Sequence, residues 1–344
     1  MKMRRSVRMT RRRFVRAVGA GSVLGAIGPG YLRASQARSD TPIFRFVQWN
    51  DVHIDDTRPP AYQLANEKMK YLVDWANKEG TIRPDLVVGV GDMIHGGGLA
   101  DLAPDTVLEK KLLADLKPSF FPVIGNHENV QQEGSSEYEA AFREAFGEDR
   151  TNYTVKHKGL LFVMLNDSGA PMVNDKEVGR QRNAWLRSVL EASVGVPKII
   201  CCHIPLIPIR EEPVLAKSFG FISYAAKDPE LVSLMDEHAE SVVAVLSGHL
   251  HLTGVVVRKG VYHISISGTA SYPCDFASYD VFSDHIRLRV HSLPKELQTP
   301  DTNIHGRRRH GTDFTDATHS TPESYLRGNP SERDVLITLP RAIT

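Results

Sequence analysis

Five short groups of aspartate, asparagine and histidine residues are the part of this sequence best suited to chemistry. They are Asp51-Val52-His53, Gly91-Asp92, Gly125-Asn126-His127-Glu128, Cys202-His203 and Gly248-His249-Leu250-His251. Carboxylate oxygens, an amide oxygen and imidazole nitrogens form a ligand set for divalent transition metals, and no thiolate is required. An Asp-x-His or His-x-His pair on an extended segment projects both side chains to one side, so both can reach one ion. The groups therefore indicate a metal site.

Each group taken alone is weak evidence for a metal. The ordinary interpretation of Gly91-Asp92 is a turn, and that of a single histidine is a partly buried, hydrogen-bonded side chain. The decisive feature is that all five groups occur in order, each just after a predicted strand. The glycines before Asp92, Asn126 and His249 also permit tight backbone paths beside an ion. The combined pattern favours the metal site.

The elements that position these groups are predicted from alternating apolar and amphipathic segments. Strands are predicted over residues 44–49, 86–90, 120–124, 160–165, 198–202 and 242–246. Helices are predicted between them from apolar residues that share one helical face, such as Ala65, Met69, Leu72 and Ala76. This alternation predicts βαβ units, an α/β fold and a largely parallel sheet. Loops at the carboxyl ends of such strands converge on one crevice, so the five groups can meet there.

The pattern changes after His251. Short strands are predicted over residues 254–257, 261–267 and 286–290, so we expect a second, more antiparallel sheet. Residues 299–344 are predicted to form a polar C-terminal tail, loose over 299–333 because few apolar residues occur there. The tail also contains three histidines that we expect to be solvated, namely His305, His310 and His319.

The first 37 residues have the pattern of an export signal. A basic stretch precedes a weakly apolar run at residues 17–32, and small residues at 35–37 provide a plausible cleavage site. Residues 10–16, Thr-Arg-Arg-Arg-Phe-Val-Arg, resemble a twin-arginine signal. We expect recognition by the twin-arginine export machinery, a periplasmic or secreted location and no stable membrane span in the mature protein. The alternative is a short membrane anchor, which the glycines in the apolar run disfavour.

Composition limits the classes of partner. The chain has 344 residues and 41% hydrophobic content, enough for a substantial core. Nine of its 42 basic residues lie within residues 1–37, which contain no acidic residue, so the remaining chain has 33 basic and 41 acidic residues. An acidic mature chain disfavours nucleic acid as the main partner. The three cysteines give little support to a disulfide framework.

In this order the five groups resemble the motifs of the calcineurin-like metallophosphoesterase superfamily, over about residues 44–290. The resemblance implies a four-layer α/β/β/α sandwich with two mixed central sheets, and a catalytic domain at residues 38–298. It also implies hydrolysis of a small phosphorylated substrate, a phosphate mono- or diester, by a hydroxide activated by two metal ions. The ions expected are divalent or trivalent Mn, Fe or Zn. The alternative is a non-catalytic metal-binding scaffold or interaction module of the same fold.

The resemblance also implies a role for each side chain. One ion would be bound by Asp51, His53, Asp92 and His251. The other would be bound by Asp92, Asn126, His203 and His249, with Asp92 bridging. His127 would face the substrate without binding metal. One departure is His95, which stands where protein Ser/Thr phosphatases have an aspartate that orients this histidine and where purple acid phosphatases have a metal-binding tyrosine.

Overall fold

The computed structural model describes residues 41–57, 60–78, 83–96, 98–129, 139–168, 176–219, 225–226, 228–299 and 314–344. The predicted signal peptide and the tail histidines His305 and His310 lie outside these ranges. None of the helices within them is long and apolar enough to cross a membrane.

Two six-stranded sheets form the centre of the described structure. In chain order the strands are β1 (Phe44–Trp49), β2 (Leu86–Val90), β3 (Ser119–Val123), β4 (Tyr153–His157), β5 (Leu160–Met164), β6 (Lys198–Cys201), β7 (Val242–Ser247), β8 (Gly254–Arg258), β9 (Val261–Ser265), β10 (Asp275–Val281), β11 (His285–Ser292) and β12 (Asp334–Thr338). The helices are α1 (Ala65–Asn77), α2 (Leu99–Leu113), α3 (Ala140–Phe146), α4 (Lys176–Ala192), α5 (Glu212–Phe219), α6 (Pro229–Glu237), α7 (Pro322–Arg327) and α8 (Pro330–Arg333).

Both sheets are mixed. The first has the order β12-β11-β10-β1-β2-β3, and its β1, β2 and β3 are parallel. The second has the order β4-β5-β6-β7-β9-β8, in which β5, β6, β7 and β9 are parallel. Their inner faces share one apolar cluster, while α1 and α2 cover the outer face of the first sheet and α4 and α6 cover that of the second. The predicted four-layer α/β/β/α sandwich with two mixed sheets is confirmed.

The continuous apolar run of β1 follows from burial on both of its faces. Phe44 and Phe46 point into the cluster between the sheets, whereas Val47 and Trp49 point toward α1 on the other side. A strand covered on both faces needs apolar residues at successive positions rather than at alternate ones. Continuous apolar runs of this kind therefore predict the buried parallel strands from the sequence.

The prediction of a separate, more antiparallel sheet after His251 is wrong. β8 and β9 extend the second sheet, while β10 pairs with β1 and brings β11 and β12 into the first. The sequence hides β10 because it is fully buried yet contains acidic residues. Asp280 accepts a hydrogen bond from Arg45 Nε at 2.6 Å, and Asp275 forms an ion pair with Arg333. Buried charges of this kind are tolerated because they are paired.

The expectation of a loose tail is wrong for residues 314–344, which are packed against the rest of the described structure. β12 pairs with β11, and Phe314, Tyr325 and Leu326 pack with Leu250 and Leu252, on either side of His251.

A buried polar chain holds this C-terminal segment to the rest of the protein. Glu332 accepts hydrogen bonds from Arg210 Nη1 at 2.9 Å and lies 2.8 Å from His319 Nε2. His319 is therefore buried between carboxylates rather than solvated. Few apolar residues suffice here because the large ones, apart from the exposed Leu336, are buried or half-buried, and because Glu332, Arg210 and His319 are paired.

We expect Tyr325→Ala to lower the free energy of unfolding by about 3 kcal/mol, since it would leave a cavity where a fully buried ring now packs. Glu323→Ala in the same helix is the control. Its side chain is 70% exposed, so the loss should stay below about 0.5 kcal/mol. Urea unfolding of both variants measures the difference, and equal stabilities would mean that the segment is not packed as described.

Candidate metal centre

The five groups lie at the carboxyl ends of parallel strands, as the sequence predicts. Asp51 and His53 follow β1, Asp92 follows β2, and Asn126 and His127 follow β3. From the second sheet, His203 follows β6, and His249 and His251 follow β7. The structure therefore gathers side chains from both sheets at one edge of the sandwich.

One set of converging side chains consists of Asp51, His53 and His251, all of them buried, with one potential ligand atom from each within 4.8 Å of the others. His251 Nε2 lies 3.1 Å from Asp51 Oδ1 and 3.2 Å from His53 Nε2. Two imidazole nitrogens and a carboxylate oxygen that face one point form a donor set suited to a transition-metal ion.

A second set consists of Asp92, His203 and His249, again with ligand atoms within 4.8 Å of one another. His203 Nε2 lies 3.0 Å from Asp92 Oδ2, and the same oxygen lies 3.9 Å from His53 Nε2 in the first set. Asp92 is therefore the carboxylate between the two sets. Asn126 Oδ1 is buried and has no hydrogen-bond partner among the described residues. An unsatisfied buried oxygen is costly unless it binds a ligand such as a cation.

Neighbouring atoms orient two of the imidazoles toward the centre. His203 Nδ1 lies 2.9 Å from the carbonyl oxygen of Val90, and His251 Nδ1 lies 2.6 Å from Ser271 Oγ. A hydrogen bond at one ring nitrogen fixes the tautomer and aims the other nitrogen at a metal. Both Nε2 atoms are thus directed into the site. These supporting contacts could not be found from the sequence, because they join residues remote in the chain.

The backbone at the site is unusual. Left-handed φ angles occur at five of the predicted ligand residues: Asp51 (48°), His53 (54°), Asp92 (51°), His249 (67°) and His251 (49°). The expectation that the Asp-x-His and His-x-His pairs lie on extended segments is therefore wrong, although both pairs converge. Non-glycine residues in this region are strained, and such strain concentrates at functional sites.

The predicted role of glycine is borne out by the space around it. A Cβ atom on Gly125 would lie 2.3 Å from both the backbone nitrogen and Oδ1 of Asp92. One on Gly248 would lie 2.4 Å from Asp51 Oδ2. A side chain at either position would displace a carboxylate of the site.

Glu128 holds two of the loops together. Its carboxylate accepts hydrogen bonds from the backbone N–H groups of Asp92, Met93, Ile94 and Gly125, at 2.9, 2.6, 3.2 and 2.8 Å. The loop after β2 is thereby fixed to the loop after β3. Asp167 has a similar role at His203, because its Oδ1 accepts the N–H groups of His203 and Ile204.

His127 lies at the mouth of the centre, with its side chain 28% exposed and its Nε2 4.0 Å from Asp92 Oδ2. Its Nδ1 contacts the carbonyl oxygen of His95, and this contact supplies the orienting partner that the sequence did not reveal. No pattern of residue types could have revealed it, since the partner is a backbone atom. His53, His95 and His127 form a third group of potential ligand atoms within 4.8 Å of one another. The ring of Tyr62 stacks on that of His53, with 4.4 Å between the ring centroids.

The charges of the site favour a cation. Burial opposes ionisation of Asp92, but the adjacent His203 and His127 outweigh it and hold the pKa of Asp92 well below its ordinary value. Burial and the charge of His127 lower the pKa of His53 well below 6.5. Burial would lower the pKa of His203 too, yet Asp92 and Asp51 raise it to about 10. A cation binding at His203 must therefore displace a proton.

Solved structures with the same fold include two phosphatases. A dimetal phosphatase from Danio rerio is 19% identical, with a TM-score of 0.55 over 73% of this chain and 96% of that protein. Purple acid phosphatase PPD1 from yellow lupin (Lupinus luteus) seeds is 12% identical, with a TM-score of 0.53 over 77% of this chain and 57% of that one. At these identities the likeness shows the fold alone.

A curated relative in Rhodococcus erythropolis, described as a probable cyclic nucleotide phosphodiesterase, is 24% identical over 205 residues. The match covers 56% of this chain and 60% of the relative, so the chain spans less than two thirds of that protein's length. Residues 44–252 match the calcineurin-like phosphoesterase family, and this range contains every residue of the two converging sets. The chain belongs to the calcineurin-like phosphoesterase family.

Proposed function

We propose that this protein hydrolyses phosphate mono- or diesters with two transition-metal ions, of which Mn, Fe and Zn fit the ligands, bound at the two converging sets. The observation that carries the proposal is the position of Asp92, whose Oδ2 lies near an imidazole of each set. One ion is assigned to Asp51, His53, Asp92 and His251. The other is assigned to Asp92, Asn126, His203 and His249.

Two cations bound there would supply Lewis acidity, which makes a shared water acidic and neutralises charge on phosphoryl oxygens. The protein's own contribution is to fix the donors in advance. Asp51 is held by the backbone N–H of His249 at 2.9 Å, and Asp92 by the loop that Glu128 secures. Preorganised donors spare the reaction the cost of rearranging them.

His127 is the catalytic side chain in this proposal. The contact of Nδ1 with the His95 carbonyl oxygen leaves Nε2 to face the substrate. Because Nδ1–H donates to that carbonyl oxygen, Nε2 carries a hydrogen only in the doubly protonated imidazolium form. In that form Nε2–H can donate a proton to the leaving oxygen or a hydrogen bond to a phosphoryl oxygen. Cys201 and Cys202 have no part as nucleophiles, since both are fully buried and burial raises the pKa of each thiol.

Hydrolysis of para-nitrophenyl phosphate or its bis ester in Mn²⁺, Zn²⁺ or Fe²⁺ tests the proposed activity. We expect turnover of at least one ester, abolished by a chelator and restored by metal. Asp92→Ala should bind fewer than two ions per chain, because one carboxylate serves both, and should lose turnover with them.

Absence of hydrolysis by metal-loaded protein would favour the alternative of a non-catalytic scaffold of the same fold. Two tightly bound ions in Asp92→Ala would exclude the bridging assignment. Cyclic nucleotides belong in the wider substrate panel, since the curated relative has the name of a probable cyclic nucleotide phosphodiesterase.

We expect His127→Ala to keep both ions and to lose at least about tenfold in turnover, because general acid catalysis contributes about 10²- to 10⁴-fold. Metal content and steady-state rates are measured on the same preparation. His157→Ala is a suitable control, since His157 pairs with Asp85 at the opposite end of the sheet. Equal turnover in wild type and His127→Ala would remove His127 from the mechanism.

We further propose export by the twin-arginine route, on the basis of residues 10–16. Replacing Arg11 and Arg12 by lysine should leave the precursor in the cytoplasm, whereas the wild-type protein should be found outside it. Cell fractionation and immunoblotting measure the distribution. An unchanged distribution in the double variant would contradict this route.

A further inference from the structure

A lysine is fully buried behind the first metal set. Lys68 lies on α1 with no exposed surface. Its Nζ donates to the carbonyl oxygen of Ala270 at 2.9 Å and to Thr299 Oγ1 at 2.7 Å, and it lies 4.0 Å from Cys274 Sγ. Among the residues that the structure describes, no carboxylate pairs with it. Within the described ranges, the contacts of the ammonium group are with neutral groups.

The segment that Lys68 contacts is the loop of residues 268–274, between β9 and β10. The backbone N–H groups of Thr269 and Ala270 donate to the carbonyl oxygen of Asp51 at 3.2 and 2.8 Å. In the same loop, Ser271 Oγ lies 2.6 Å from Nδ1 of His251. One short loop therefore contacts two residues of the first set.

Thr299 strengthens the connection between Lys68 and this loop. Its Oγ1 donates to the carbonyl oxygen of Ala270 at 2.9 Å, and its backbone N–H donates to Cys274 Sγ at 3.2 Å. The Ala270 carbonyl oxygen thus accepts from both Lys68 and Thr299, while the N–H of Ala270 donates to Asp51. Lys68 is two hydrogen bonds away from the backbone of a predicted ligand.

Burying an ammonium group without a carboxylate is expensive, and an apolar side chain of similar length would avoid that cost. Burial lowers the pKa of Lys68 from its ordinary value, which reflects the same penalty. What the amine provides and an apolar side chain cannot is a set of N–H donors for the loop.

The second set is held by different contacts. Glu128 fixes the loop of Asp92, and His203 is fixed by the Val90 carbonyl oxygen and by Asp167. None of these contacts includes Lys68 or the loop of residues 268–274. The supports of the second set thus do not include Lys68, although backbone hydrogen bonds join the two sets: the N–H of His249 donates to the Asp51 carboxylate, and those of Asp51 and His53 donate to the carbonyl oxygens of Gly91 and Asp92.

We propose that Lys68 is a positioning residue for the ion of the first set: it holds the loop of residues 268–274 so that Asp51 and His251 keep their places. The inference rests on the proposed function, because it presupposes a dinuclear centre. It predicts that loss of the amine weakens one of the two ions far more than the other.

Lys198 offers a matched control. It is also fully buried, and its Nζ donates to the carbonyl oxygens of Ser193 and Val196 at 2.6 and 2.9 Å and lies 3.1 Å from Ser241 Oγ. It lies at the start of β6, whereas His203 follows the end of that strand. Lys198→Met therefore removes a comparable buried amine at a distance from the site.

The test is a Mn²⁺ titration of metal-free wild type, Lys68→Met and Lys198→Met, with the bound metal counted by elemental analysis. Chelator competition and thermal unfolding of the metal-free proteins accompany it. We expect one ion of Lys68→Met to bind about 10- to 100-fold more weakly, which is typical when a group supporting a ligand is lost. Lys198→Met should retain two ions of wild-type affinity, even if its thermal stability falls by as much as that of Lys68→Met.

Two ions bound by Lys68→Met as tightly as by Lys198→Met would overturn this inference but leave the proposed function in place. Fewer than two ions in wild type would overturn the proposed function, and the inference with it. If Lys68→Met does not fold, Lys68→Leu decides the question, because it removes the same N–H donors to Ala270 and Thr299 with a shorter apolar side chain. A weakened single ion in that variant supports the inference, and unchanged binding of both ions overturns it.

Discussion

The geometry of the centre depends on one buried carboxylate that binds no metal in our assignment. Glu128 receives four backbone N–H groups from the loops after β2 and β3, and so determines where Asp92 lies relative to Asn126. Burial and the negative charge of Asp92 raise the pKa of Glu128 to about 7, so its charged form is held at a cost. The N–H donors offset that cost. Precision in a polar site of this kind comes from satisfying a buried charge with fixed backbone dipoles.

A second cost is the left-handed backbone at five of the seven predicted ligands. Each such residue is disfavoured by about 1–2 kcal/mol relative to an ordinary conformation. Pairing that continues beyond the ends of β1 and β2 holds part of this segment, since the N–H of Asp51 donates to Gly91 and that of His53 to Asp92, at 3.0 and 3.1 Å. A ligand that binds the folded protein and not the unfolded chain stabilises it. The ions of the proposed centre would therefore contribute to stability as well as to catalysis.

Much of the fold and of the site could be predicted from the sequence, for physical reasons that also explain the failures. Parallel strands covered on both faces are continuous apolar runs, and β1 and β2 were predicted to the residue. Their carboxyl ends converge by geometry, so the residue types indicated the five groups, whereas the resemblance to the family implied which seven side chains bind metal. The sequence does not reveal β10, because its buried aspartates pair with arginines far away in the chain, Arg45 and Arg333. It does not reveal the packing of the tail, because only a few apolar residues there, such as Phe314, Tyr325 and Leu326, join the core. The partner of His127 is a carbonyl oxygen, which every residue has.

The strand order of the first sheet affects how the protein folds during its synthesis. β1 pairs on one side with β2, which is made soon after it, but on the other with β10, and Arg45 and Asp280 across that pairing are 235 positions apart. Until β10 has been synthesised, the edge of β1 that will pair with it is unpaired. An unpaired apolar strand edge promotes aggregation. Pairings of such long range also slow folding. Because His251 follows His53 by 198 positions, the nascent protein acquires the complete first set of ligands only after that whole stretch has been made.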